Sequence, residues 1–93
     1  VDFDVHHGNG TEDIIAGDDR VLMASFFQHP LYPGSGAVPM GTNMVNVPVP
    51  PYTRGMAVRE LIDVMWMPRL EEFAPQMLFI SAGFDAHRDD DLP

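Results

Sequence analysis

The chain contains no cysteine and no lysine. The first absence excludes disulfide bonds and thiolate-held zinc. The second leaves five arginines against 14 acidic residues, a formal net charge of −9. Binding to a nucleic-acid backbone needs clustered Lys and Arg, so direct nucleic-acid binding is not expected. A cationic partner or metal ions suit this balance better. No apolar run is long enough to form a membrane-spanning helix, and no membrane partner is expected.

What is present is a chain of 93 residues with 45% hydrophobic content, enough for one small domain at most. Val1 begins inside a strand-like pattern and residues 87–93 stop in a polar stretch. Residues 1–93 therefore read as an internal fragment of one larger domain. The acidic run Asp89-Asp90-Asp91 is expected to be solvated.

The opening hexapeptide carries the most information. Val1, Phe3 and Val5 alternate with Asp2, Asp4 and His6, the period of an extended strand. β-Branched and aromatic residues belong in a sheet. Yet one face of this strand holds two carboxylates and an imidazole, and an unpaired buried carboxylate is costly. No arginine is near in sequence, so a bound cation is the natural partner.

Further strands are predicted over residues 21–26, 44–49 and 77–82, besides 1–5. The last is fully apolar and reads as buried on both faces. A short helix over 12–16 follows a Gly-Asn-Gly turn. Thr11 could cap it, and Glu12 and Asp13 sit where the helix dipole favours them. The main helix runs over 55–73, with Thr53 as a cap and Pro68 as a kink or break. Strands joined by helices and long loops imply an α/β fold with a parallel sheet, whose ligands bind beyond the carboxyl ends of the strands. His6 closes the first strand and Asp85 follows the fourth. Asp4, His6 and Asp85 would give one nitrogen and two oxygen ligands. Three protein ligands leave a position for water, as in a catalytic zinc site, where the metal activates that water for amide hydrolysis. The oxygen-rich set also suits Fe(II), Co(II) or Mn(II).

These residues match a family. Asp2 to Thr11 (DFDVHHGNGT) resembles the zinc-strand motif of the histone deacetylase and acetylpolyamine amidohydrolase superfamily, most like its bacterial and class II branches. Ser81 to His87 (SAGFDAH) resembles the motif that supplies the last ligand, and Tyr32 to Gly36 (YPGSG) resembles one wall of the substrate tunnel. The resemblance implies a three-layer arginase/deacetylase-type fold, of which this chain is a central piece. It makes Asp4, His6 and Asp85 the zinc ligands. It implies an inner monovalent cation, potassium, held by Asp2, the Ser25 hydroxyl and the carbonyls of Asp4, His6 and Phe26. A peripheral second cation would fall on Ile15, Asp18 and Val21, mostly through backbone oxygens. Tyr32 would pack along the stem of an acetylated lysine or polyamine. A bacterial source would place the protein in the cytoplasm.

The family's general-base His pair and oxyanion Tyr are expected outside these residues, so the 93-residue chain alone is expected to be inactive. Two other readings compete. Asp85-Ala86-His87-Arg88-Asp89 also resembles the Asp-x-His-x-Asp motif of binuclear manganese ureohydrolases of the arginase type, although Gly8 stands where a further carboxylate would be needed. A non-catalytic homologue that binds acetylated ligands or partner proteins is the third reading. Among individual residues, His7 reads as a hydrogen-bonded structural histidine. His87 could orient a carboxylate or water. Met65, Trp66 and Met67 read as core packing or as an interface with parts outside these residues.

Overall fold

Two apolar hexapeptides make the regular sheet. In the computed structural model, which describes residues 1–90, strands β1 (Met23–Gln28) and β2 (Met44–Val49) pair in parallel, from Met23 opposite Met44 to Gln28 opposite Val49. Asp91, the end of the acidic run, lies outside the described residues with Leu92 and Pro93. β1 is buried on both faces from Met23 to Phe27, and Ala24 and Phe27 are fully enclosed.

Residues 1–5 lie along the other edge of β1. The Asp2 N–H donates to Ala24 O (2.9 Å) and the Gln28 N–H to Val5 O (2.8 Å). On their far side the Ser81 N–H donates to Val1 O (2.9 Å) and the Phe3 N–H to Ser81 O (3.2 Å). The spatial order is therefore 77–82, 1–5, β1, β2, and every pairing is parallel.

Neither 1–5 nor 77–82 is the regular strand that the sequence predicts; they pair through isolated bridges at Asp2 and Ser81. In the first segment, side chains capture the backbone donors. The Asp4 N–H goes to Asp2 Oδ1 (3.0 Å), the Val5 N–H to Asp85 Oδ1 (2.9 Å) and the His6 N–H to Asp4 Oδ1 (2.8 Å). Such local bonds compete with a sheet ladder. The segment 77–82 is not buried on both faces as expected: Met77 and Phe79 are largely exposed, because nothing among the described residues covers its outer flank. The second strand begins two residues later than predicted, since the Val21 N–H closes a turn onto Asp18 O (3.1 Å).

Helix α1 (Asn9–Ile15) starts earlier than predicted, with Gly8 rather than Thr11 at its N-terminal boundary and no side-chain cap. The long crossover helix occupies residues 55–73 as predicted, as α2 (Gly55–Leu61), a π-turn (Ile62–Trp66) and α3 (Met67–Phe73). Pro68 has no N–H and its ring crowds the carbonyl four residues earlier. The wider winding just before it accommodates both defects. Arg54, not Thr53, stands at the helix boundary, and the Thr53 hydroxyl donates to Pro50 O (2.6 Å) instead. The helix ends where Ala74 turns left-handed ahead of Pro75.

Trp66 fixes this helix to the sheet. It is buried against Ala24, Phe26 and Val45, and its indole N–H donates to Ser25 O (3.3 Å). Val58, Leu61, Ile62 and Leu70 pack around that cluster at helical spacing. Met65 and Met67, read from sequence as packing or an interface, stay partly exposed.

The topology locates the site. From residues 1–5 the chain steps to β1 and then β2, and then crosses back to place 77–82 on the opposite flank of 1–5. The direction of winding reverses between residues 1–5 and 77–82. In parallel sheets the crevice beyond the strand ends at such a reversal is where ligands bind.

Candidate metal centre

Asp4 and His6 leave one side of that reversal and Asp85 leaves the other. His6 Nδ1 lies 2.8 Å from Asp85 Oδ2 and 3.1 Å from Asp4 Oδ1. One ligand-type atom from each of the three residues falls within 4.8 Å of the others; no second such group occurs among the described residues. The side chains keep between 18% and 33% of their exposure, so one face of the cluster stays open to solvent.

Each carboxylate is aimed by a backbone donor. The Val5 N–H holds one oxygen of Asp85 and leaves the other toward His6. The His6 N–H holds Asp4. Burial works to raise the Asp85 carboxyl, but the Val5 N–H, the Asp4 side chain and the His6 ring outweigh it and hold the group below its ordinary value. Two carboxylates this close repel unless a proton or a cation lies between them.

The donor set fits a divalent ion. Zinc bonds of about 2.0–2.1 Å put tetrahedral ligand atoms about 3.4 Å apart. The present separations of 2.8 and 3.1 Å need only a small outward shift to reach that. Gly83 adds a steric clue. A Cβ there would overlap Asp4 Oδ2 and stand 2.6 Å from Asp4 Cγ, so the missing side chain is the space that Asp4 fills. Gly83→Ala is expected to displace Asp4 and destabilise the domain by about 1–3 kcal/mol, the usual range for overpacking. Thermal melting and divalent-metal content of the intact domain check both consequences, and unchanged values for both would contradict the packing role.

Asp2 is 8% exposed and its Oδ1 accepts the Asp4 N–H. Burial pushes its carboxyl up, against the downward pull of that donor. No arginine pairs with it among the described residues. β1 runs alongside, with Ser25 bridged directly to Asp2 and the Phe26 N–H donating to Asp2 O (3.4 Å). The Ser25 hydroxyl itself reaches Asn46 Oδ1 (3.4 Å). Tyr32 is exposed, and its ring meets that of His6 edge-on at 6.3 Å.

Behind the cluster lies a polar network around His7, which is the hydrogen-bonded structural histidine expected from the sequence; its partners Ser35, Glu12 and Asn46 were not expected. His7 is buried, with Nδ1 2.8 Å from Ser35 Oγ. Its Nε2 stands 3.2 Å from Glu12 Oε1, within ion-pair reach though off the line of a hydrogen bond. Glu12 is 1% exposed, and its other oxygen accepts from Asn46 Nδ2 (2.5 Å) and the Met40 N–H (3.4 Å). Asn46 also donates to Gly36 O (3.0 Å). The network thus ties α1, β2 and the loop that follows Tyr32. The clue in the sequence is Asn46, a polar side chain inside the otherwise apolar MVNVPV strand. It needs a buried partner.

His87 and Asp89 do not join the metal cluster. Both are exposed; His87 Nδ1 accepts the Asp89 N–H (3.2 Å) and lies 3.8 Å from Asp89 Oδ2. A hollow of about 760 Å³ also lies elsewhere, between the end of α3 and residues 77–81.

The histone deacetylase domain pattern matches residues 1–93, the whole chain. The chain belongs to the histone deacetylase family. It is 44% identical over 98 residues to a probable deacetylase of Archaeoglobus fulgidus, covering 99% of this chain and 27% of that protein. It is 41% identical over 107 residues to type-2 histone deacetylase 2 of Dictyostelium discoideum, covering 97% of this chain and 6% of that protein. The crystal structure of the HDA15 HD domain superposes with a TM-score of 0.86 at 36% identity, over 98% of this chain and 29% of that one. The α/β fold is therefore that of the deacetylases, and the chain spans less than a third of each of these relatives.

Proposed function

We propose that this chain is the metal-holding portion of a zinc-dependent amidohydrolase that removes acetyl groups from acetyl-lysine or acetylated polyamines. The observation that carries the reading is the meeting of Asp4, His6 and Asp85 at the topological reversal, with one open face. Deacetylase names among the relatives support the reaction class. A divalent ion held by these three residues would supply an activated water and polarise the amide carbonyl. Asp4 and Asp85 bring the negative charge that holds the ion, and their backbone donors keep both carboxylates in position. Asp2, with Ser25, Phe26 and the Asp4 and His6 carbonyls, forms the potassium site in this reading; a cation there would relieve the cost of burying Asp2. Tyr32, exposed beside His6, lines the approach of the acyl-bearing stem.

The chain by itself does not complete the chemistry in this proposal. Its only adjacent histidines are His6, in the cluster, and His7, enclosed by Ser35 and Glu12. Neither is free to act as a general-base pair. Residues 1–93 are accordingly an internal portion of one catalytic domain.

The test is acetate release from an acetyl-lysine peptide and an acetylated polyamine by the intact domain. Turnover is expected to vanish on chelation and return with zinc. Activity that survives chelation would contradict the proposal, as would two manganese ions per chain. Bound acetyl-lysine without turnover would favour the binding-protein reading instead.

A further inference from the structure

The family resemblance places a second, peripheral monovalent cation on the backbone oxygens of Ile15, Asp18 and Val21. The structure fills that position differently. Asn43 Nδ2 donates to Ile15 O (2.8 Å), Asp18 O (3.0 Å) and Val21 O (3.1 Å). Three carbonyls thus converge on a single nitrogen. A carboxamide has only two N–H groups, so three acceptors are one more than it can serve squarely. Such an arrangement suits a small cation, and here a neutral side chain occupies it.

The orientation of the amide follows from its other end. Asn43 Oδ1 accepts the Gly17 N–H at 3.1 Å. Turning the amide over would set an oxygen against three carbonyls and a nitrogen against an N–H. Only the present arrangement sets donors against the three carbonyls and an acceptor against the Gly17 N–H. Two neighbours also disfavour a cation. The Arg69 guanidinium donates to Thr42 O (2.8 Å), the residue beside Asn43. The Asp18 carboxylate, within this turn, is engaged by Arg20 at 2.8 and 3.0 Å.

We propose that the Asn43 carboxamide is a built-in replacement for the peripheral cation, stapling the turn between α1 and β1 to the start of β2 without a bound ion. The Ile15, Asp18 and Val21 carbonyls are thereby held by one side chain reaching across from position 43. It also predicts that this protein's monovalent-cation requirement is confined to the buried Asp2 region.

Rubidium is the probe. Crystals of the intact domain grown in rubidium chloride are expected to show no anomalous peak among the Ile15, Asp18 and Val21 carbonyls. Asn43→Ala empties the position and is expected to acquire a peak there, with melting in choline chloride lowered and partly restored by potassium. A rubidium peak at this cluster in the wild type would overturn the proposal, and so would its absence in folded Asn43→Ala. Should that variant not fold, the wild-type map decides alone. A missing peak at Asp2 would bear on the proposed inner cation and not on Asn43.

Discussion

Asp85→Ala in the intact domain is expected to release the divalent ion and abolish hydrolysis. The substitution removes one of the three proposed ligands and the partner of His6 Nδ1 in the same step. Loss of a group that merely orients a ligand typically costs 10–100-fold in metal affinity, so loss of a ligand should exceed about 100-fold. Turnover should fall in parallel if the proposed metal-dependent chemistry holds. Asp85→Asn separates the two roles of the side chain. Its amide oxygen can still accept the Val5 N–H, so the loop stays anchored, but the charge that holds the ion is gone. Near-wild-type melting of the metal-free protein combined with lost metal is the expected pattern for Asp85→Asn. Full metal content in either variant would remove Asp85 from the ligand set.

Glu12→Ala is expected to be the most destabilising single change in the buried polar network. The carboxylate is enclosed and serves His7, Asn46 and the Met40 N–H together. Removing one member of a buried pair costs about 3–5 kcal/mol, since the partners stay buried and unsatisfied. These residues make up 29% of the HDA15 domain chain, and in a domain of roughly 300 residues each kcal/mol lowers melting by about 1.5 °C. The melting point should therefore fall by roughly 5–8 °C on these two scales. Glu12→Gln keeps an acceptor for Asn46 and should lose less. Glu12→Leu combined with His7→Leu should recover part of the loss, because removing both partners leaves fewer polar groups stranded. Differential scanning calorimetry reads all three, and a Glu12→Ala protein that melts with the wild type would contradict the network's role. The loop through Ser35 and Gly36 should also loosen, moving Tyr32 with it.

The convergence of Asp4, His6 and Asp85 was more legible in the sequence than the sheet. Asp4, His6 and Asp85 were legible because two carboxylates on a strand of this composition demand a partner, and a parallel fold collects strand ends on one edge. The span of the crossover helix was legible from its apolar spacing, and the limits of β2 from the apolar run ending at Pro50-Pro51. Regularity of the first strand was not legible, because the same carboxylates that mark the site also take the N–H groups of Asp4 and His6. Hydropathy alone makes residues 77–82 a buried strand, yet burial depends on neighbours that the described residues do not supply. Glu12 looked like an ordinary first-turn acid; only the tertiary approach of His7 and Asn46 reveals it as buried. Asn43 carried no local pattern at all, since its three acceptors come from a turn more than twenty residues upstream.

The central claim is that one divalent ion joins positions 4, 6 and 85. Anomalous diffraction at the zinc edge from crystals of the intact domain tests it most directly. The account predicts a single peak about 2.0–2.2 Å from an oxygen of Asp4, Nδ1 of His6 and an oxygen of Asp85. A zinc-replete protein with no density between these side chains, or with its ion bound elsewhere, would contradict it.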